Sequence, residues 1–366
     1  MPGGAITPPR YASPRPTAVT VALIAGLAGA ALTTGVIAVT GSLSPRVIER
    51  QVVEKVAVSP VVSSPMLRGE RGVVGVAERL SPAIVRLDVG VPGGGATGSG
   101  VIFRDDGLLL TSAHVVADSS EISVLFADGR RLAGHLVGAD LATDVALVDV
   151  DGTGFAVAVL GTAEHLEVGA PTIAIGSPLG LEGGPSVTTG VISALDRRVD
   201  TLDGEPLHGM IQTDAPIAPG SSGGALVDAS GSVIGIMTAV AAEPGDRFGF
   251  ATPIDLAHRV AIQLLASGET SHGWLGVEGA DLTPAEATTL SVVGGARVRR
   301  IVSGSPADLA GLAAEDVITE IDHVSILSIS NLIVQLRKHD PGDDVEIGYW
   351  RGGSHTTTTV RLKKRP

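Results

Sequence analysis

Ala218-Pro219-Gly220-Ser221-Ser222-Gly223-Gly224-Ala225-Leu226 is a glycine-bracketed turn that carries two serines and runs straight into an apolar strand. Glycines let a backbone turn tightly and leave N–H groups aimed outward. A serine hydroxyl in such a turn can attack a carbonyl carbon, and neighbouring N–H groups can hold the oxyanion that forms. The same string also suits a plain surface hairpin. The choice rests on whether the rest of the chain supplies a base and an acid to orient it.

Composition narrows the possibilities first. The chain has 366 residues, 44% hydrophobic but only 2% aromatic. A core therefore has to be filled by Val, Leu, Ile and Ala, and the Val- and Gly-rich balance favours β structure with many turns. A formal net charge of −13 argues against nucleic acid as a partner. No cysteine is present, which removes disulfides, thiol nucleophiles and Cys-based zinc sites. Nine histidines occur without a zincin-type His-Glu-x-x-His run, so no metal and no cofactor is expected.

Along the chain, residues 1–16 read as a Pro-rich cytoplasmic tail with Arg10 and Arg15 and no acids. Residues 17–40 lie in an uncharged run long enough to cross a bilayer, and are expected to form an anchor helix rather than a cleaved signal. Residues 41–72, broken by Pro45, Pro60 and Pro65, read as a juxtamembrane stalk. From residue 73 to 268 the pattern is globular. A short helix before Ser81-Pro82 is followed by strands at Ala83–Val89, Val101–Phe103, Leu108–Val116, Glu121–Phe126, Arg131–Val137, Ala146–Val150, Val157–Leu160, Thr172–Ile175, Gly190–Ala194, Met210–Thr213, Val233–Thr238 and Gly249–Ala251. That spacing predicts an all-β barrel or sandwich, closed by a helix over Pro253–Ala266. The run Gly93–Gly100 contains Gly-x-Gly-x-x-Gly, but a strand follows it, so it reads as a hairpin loop and not a nucleotide cradle. Residues 273–366 form a second, smaller unit, with strands near Leu275–Val277, Ala296–Ile301, Val317–Ile321, Val345–Trp350 and Thr357–Leu362 and short helices near Pro306–Ala310 and Asn331–Lys338.

His114 follows Thr111-Ser112-Ala113 at the end of an apolar run, and Asp144 precedes another, with Asp140 as its rival. Each alone reads as a structural histidine or a turn acid. Their order is the specific signal. His, then Asp, then Ser is the order of chymotrypsin-type barrels, whereas subtilisins run Asp-His-Ser and α/β-hydrolases place the serine first. Gly220 to Gly224 also fits the hydrolase elbow, but the strand-rich surroundings lack the alternating helices that it requires.

Four stretches taken in order resemble the HtrA/Deg family of serine proteases: Thr111–Val116, Asp140–Leu147, Ala174–Gly180 and Gln212–Leu226. Gly304–Leu312, followed by Asp316-Val317-Ile318, resembles a PDZ domain. The resemblance spans roughly residues 73–366 and implies a mainly β fold. That fold is a chymotrypsin-like double β-barrel and a small α+β PDZ domain, here preceded by one transmembrane helix. It implies Ser222 as nucleophile, His114 as general base and then acid, Asp144 as the orienting carboxylate, and the N–H groups of Gly220 and Ser222 as the oxyanion hole. It also implies Ile217 and Val240 as floor and wall of a substrate pocket for small or medium apolar side chains, and Leu275-Gly276-Val277 as the loop that captures a peptide carboxylate. Ser177, Ala218 and Ser221 depart from the family, which usually has Asn at these places. The loop Asp196–Leu207 falls where the family's regulatory loop lies and is expected to be mobile. The expected protein is an extracytoplasmic, membrane-anchored homotrimer of the bacterial cell envelope that cleaves misfolded polypeptides and binds C-terminal peptides. The rival reading is a chaperone with an idle triad, acting through its PDZ domain; an esterase is a third.

Overall fold

The computed structural model describes residues 72–91, 94–177, 184–201, 205–238 and 248–365. The expected tail and anchor, the expected stalk up to residue 71, and Val240 lie outside these residues. Among the described residues no helix is long and apolar enough to cross a membrane.

After helix α1 (Gly72–Leu80), which Ser81-Pro82 ends as expected, come strands β1 (Ile84–Val91), β2 (Gly94–Ile102), β3 (Leu109–Thr111), β4 (Glu121–Leu125), β5 (Arg131–Asp140) and β6 (Val145–Val150). They close into a barrel in the order β1-β2-β3-β6-β5-β4. A second barrel, in the order β10-β11-β12-β9-β8-β7, is built from β7 (Pro171–Gly176), β8 (Ser186–Val199), β9 (Leu207–Thr213), β10 (Ala225–Val227), β11 (Val233–Thr238) and β12 (Gly249–Pro253).

The apolar runs of these strands are continuous rather than alternating because both faces are buried. In β6, Ala146, Val148 and Val150 fill the first barrel, while Val145 and Leu147 face a core shared by the two barrels. In β7 and β10, Ala174 and Leu226 fill the second barrel, and Ile173, Ile175, Ala225 and Val227 face the shared core. Helix α3 (Ile254–Ser267) joins that core with Ile254, Ala257, Val260, Ala261 and Leu264, and the left-handed Gly268 ends it. Each fully buried Ile or Leu at this seam stabilises by roughly 1.5–3 kcal/mol, so barrel closure and barrel–barrel docking are driven by the same strands.

A third domain follows. β13 (Gly273–Trp274) pairs with β20 (Lys363–Lys364), and β14 (Val277–Asp281), β15 (Ala296–Ile301), β16 (Val317–Ile321), β18 (Asp344–Arg351) and β19 (Ser354–Arg361) form a sheet, with β17 (Val324–Ser325) beside β16. Its helices are α4 (Pro284–Leu290), α5 (Pro306–Leu309) and α6 (Ile329–Leu336). Thr283 and Glu286 cap α4 reciprocally, a Thr-x-x-Glu signal with Pro284 at N1 that the sequence reading passed over.

Four local expectations are corrected. Gly94–Gly100 is strand, not loop, because its full register with β1 supplies the hydrogen bonds that its glycines leave without side-chain support. Val157–Leu160 makes only an isolated bridge from Leu160 to Val233. The apolar run after Leu108 breaks at Ser112, and residues 113–116 form the one-turn helix α2 (Ala113–Val116). Asp196–Val199 is the end of β8 and Leu207 the start of β9, with Val199 opposite Leu207. Residues 202–204 lie outside the described residues.

Candidate active site

Register places the predicted residues. β3 and β6 are antiparallel with Thr111 opposite Ala146. His114, just after β3, and Asp144, just before β6, therefore emerge at the same barrel end. His114 Nδ1 lies 2.9 Å from both Asp144 carboxylate oxygens, and the His114 backbone N–H donates to Oδ1 at 2.9 Å. Asp144 is buried, while the His114 side chain is 46% exposed, so the ring is held at its Nδ1 edge and still open to solvent. Asp144 sits in left-handed backbone at φ 55, a conformation that Asp tolerates.

A partner that the sequence reading missed completes this arrangement. Thr238, at the end of β11 in the second barrel, donates its hydroxyl to Asp144 Oδ2 at 2.9 Å. The bond crosses the seam, so the carboxylate takes donors from both barrels. Asp140, the rival acid, is turned away. It accepts from His272 Nε2 at 2.7 Å and Thr143 Oγ1 at 2.6 Å. Burial pushes its carboxyl up, but the hydrogen bond and charge of His272, the bond from Thr143 and the charge of Arg337 outweigh that and hold it below the usual carboxylate range.

The Ser222 turn is braced from the first barrel. Buried Ser99 of β2 donates its backbone N–H to the Ser222 carbonyl at 2.8 Å and its hydroxyl to the Gly220 carbonyl at 2.8 Å. The Ser177 N–H donates to that hydroxyl, also at 2.8 Å. Gly223 donates to the Met237 carbonyl at 2.7 Å, as does the Ser112 hydroxyl at 3.0 Å, which ties the turn to the residue two before His114. Gly223 has φ 85, and a Cβ there would meet Ser99 O and Thr111 Oγ1 at 2.2 Å, so only glycine fits. The Gly220 N–H has no acceptor among the described residues, whereas the Ser221 N–H is committed to the Ala218 carbonyl at 3.0 Å. Ser221, one of the three departures, is buried against Gly176. Beside this turn, Ile217 packs on the second barrel's core and on Gly249.

In the third domain, Leu275-Gly276 is the connection between β13 and β14, and Val277 begins β14 rather than ending a strand. The Leu275 and Gly276 carbonyls accept from Ala307 and Val302 N–H groups at 2.9 Å. Their own N–H groups have no acceptor among the described residues. Gly276 has φ 83, and a Cβ there would lie 2.2 Å from Ser305 Cβ. The domain is held to the barrels through polar contacts: Arg337 Nη2 to the Ala142 carbonyl at 2.9 Å, His208 Nδ1 with Ser330 Oγ at 2.9 Å, and Arg365 to Glu205 at 2.6 and 2.7 Å. Burial, followed by the charges of Arg337 and Arg198, lowers the His208 pKa from its ordinary value to about 4. No group of three His, Asp or Glu side chains among the described residues is arranged to hold a metal ion.

Two closed six-stranded barrels meeting over this His–Asp pair and serine turn define a trypsin-like peptidase fold, here joined to a PDZ domain. Residues 98–236 match the trypsin-like peptidase domain family, and residues 273–362 match the PDZ domain family. A probable periplasmic serine endoprotease DegP-like of Halomonas elongata is 41% identical over 74% of this chain and 56% of its own length. Serine protease PepD of Mycobacterium tuberculosis is 37% identical over 77% of this chain and 64% of its own. The chain thus spans little more than half the length of the first of these relatives. The solved structure of the HtrA-type protease AlgW with tripeptide is 36% identical, has a TM-score of 0.69 and is covered over 97% of its chain, with 80% of this chain. The chain belongs to the HtrA family of trypsin-like proteases with a C-terminal PDZ domain.

Proposed function

We propose that this chain is an HtrA-type serine endopeptidase. The observation that carries the reading is the Asp144 carboxylate, gripped by the His114 ring and backbone on one side and by Thr238 on the other, beside a glycine-bracketed serine. His114 accepts the Ser222 proton as the hydroxyl attacks the peptide carbonyl. Asp144 fixes the imidazole tautomer and stabilises the imidazolium that forms. The N–H groups of Gly220 and Ser222 hold the tetrahedral oxyanion. His114 then returns its proton to the leaving amine, and water repeats the sequence on the acyl-enzyme to release the acid and regenerate Ser222. Ile217, together with Val240 as the second lining position that the resemblance implies, gives an uncharged pocket that favours Val, Ala or Ile side chains, since a buried Arg or Lys would lack a partner.

The PDZ loop Leu275-Gly276-Val277 captures the C-terminus of a peptide, which adds as a strand along β14. Substrates are misfolded or exposed polypeptides. The uncharged run at residues 17–40 anchors a homotrimer in the membrane, with the described domains outside the cytoplasm; relatives named as periplasmic endoproteases support that placement. The test is degradation of unfolded casein by the full chain and by Ser222→Ala. Loss of at least about a thousandfold is expected. Equal rates would overturn the protease reading in favour of an idle-triad binding protein.

A further inference from the structure

Gly220 is one of the two proposed oxyanion donors, and very little holds it. It has no side chain and lies in left-handed backbone at φ 88, where glycine moves freely. Its N–H has no acceptor among the described residues. Among those residues its one hydrogen bond is at its carbonyl, which accepts from the Ser99 hydroxyl at 2.8 Å. Ser99 is fully buried in β2, so solvent does not compete for that hydroxyl. A hydroxyl has one proton to give. The Ser177 N–H can only donate, and it donates to the same hydroxyl at 2.8 Å. The proton is therefore left for the Gly220 carbonyl, and the bond has a fixed direction.

Ser99 is itself anchored. Its N–H donates to the Ser222 carbonyl at 2.8 Å, and its carbonyl accepts from the Thr111 hydroxyl at 2.7 Å. Glycines on either side let β2 come this close. A Cβ at Gly98 would lie 3.2 Å from the Ser222 carbonyl oxygen, and one at Gly100 would lie 2.9 Å from Leu109 Cδ1. On the turn, the ring of Pro219 fixes its own φ, and the Ser221 N–H is held by the Ala218 carbonyl at 3.0 Å. The Gly220–Ser221 peptide plane is thus tied at both its carbonyl and its N–H. We infer that the Ser99 hydroxyl is a positioning group for the oxyanion hole: by holding the Gly220 carbonyl it aims the Gly220 N–H at the oxygen that becomes charged. This rests on the serine endopeptidase reading above. A donor stabilises a developing charge most when its direction is set in advance. Without the hydroxyl, Gly220 has no hydrogen bond left to orient it. The substrate's neutral carbonyl gains little from that donor, so the loss belongs to the transition state.

The test uses the full chain, an internally quenched peptide with Val on the acyl side of the cleavage site, and a peptide boronic acid carrying the same Val side chain. Bound to Ser222, the boronate is a tetrahedral anion that places an oxygen in the hole. Ser99→Ala is expected to lower kcat, corrected for the folded fraction, by about 10- to 100-fold, less than removal of a hole donor outright. KM should move by less than about threefold, and boronate affinity should fall by about the same factor as kcat. Ser99→Cys, which keeps the size but offers a weaker donor, should lose kcat by a smaller factor and serves if the Ala variant melts early. Full kcat in folded Ser99→Ala, or in Ser99→Cys where the Ala variant does not fold, overturns the inference. So does a loss of kcat with boronate affinity unchanged, which would make Ser99 a structural brace only. If the wild type neither cleaves the peptide nor binds the boronate, the endopeptidase reading itself fails and the inference falls with it.

Discussion

Thr238 gives the sharpest check on how the acid is held. Asp144 is buried and takes its side-chain donors from His114 and Thr238, the latter at 2.9 Å. Thr238→Val keeps the shape, being itself buried at 3% exposure, and removes only the hydroxyl. A hydrogen bond to a charged group is worth about 1.5–3 kcal/mol, and about 1.4 kcal/mol corresponds to a factor of ten in rate. If most of that interaction serves to keep the carboxylate aligned with the imidazole, kcat on an apolar-site peptide should fall by about 10- to 100-fold. KM should move by less than about threefold, because the hydroxyl removed is the one that donates to Asp144. Thr238→Ser should recover most of the loss. A Thr238→Val enzyme with full kcat, or with kcat restored by nothing that restores the hydroxyl, would refute the claim that Asp144 is positioned from both barrels.

Two further substitutions test other parts of the framework. A Cβ at Gly98 would lie 2.5 Å from Val115 Cγ1, next to His114; Gly98→Ala should therefore cost on the order of 2 kcal/mol in thermal unfolding, and Gly98→Ala with Val115→Ala should recover at least half. No recovery in the double variant would place the strain elsewhere. His208, with its pKa lowered from 6.5 to about 4, binds fewer protons in the folded state than in the unfolded chain between those values. Its contribution to stability is thus present above about pH 6.5 and lost as pH falls toward 4, by no more than about 3 kcal/mol. Thermal melts across that range should show this slope in the wild type and a flatter one in His208→Gln; identical slopes would remove His208 from the account.

Legibility in the sequence followed the range of each interaction. The barrels were readable because strands buried on both faces leave continuous Val, Leu and Ile runs, as in Val145–Val150. Val157–Leu160 has the same look but makes a single bridge, from Leu160 to Val233, and apolar content alone does not reveal pairing. His114, Asp144 and Ser222 are legible as candidates because of their chain order and, for Ser222, the glycines around it. Thr238 left no such mark. Its role depends on β11 pairing with β10, with Ile236 opposite Ala225, and on the two barrels meeting, which no local pattern encodes. Arg337 is the same case, since an arginine near a helix end reads as solvated until the fold covers it.

Ser99 carries this argument to the turn itself. The departures at Ala218, Ser221 and Ser177 raise the question of what braces the serine turn when side-chain amides are replaced by methyl and hydroxyl groups. Ser99 supplies one answer from a strand read as a loop: its N–H fixes the Ser222 carbonyl, and its hydroxyl fixes the Gly220 carbonyl while accepting from Ser177. Fixing the carbonyl of Gly220 orients the Gly220–Ser221 peptide plane, and fixing that of Ser222 orients the next plane but one. The brace therefore comes from the backbone side, through a residue held in register by β1 with Arg86 opposite Ser99. A turn built this way tolerates change in its own side chains. It depends instead on the glycines at 98 and 223, where Val115, Thr111 and the Ser99 carbonyl occupy the space any side chain would need.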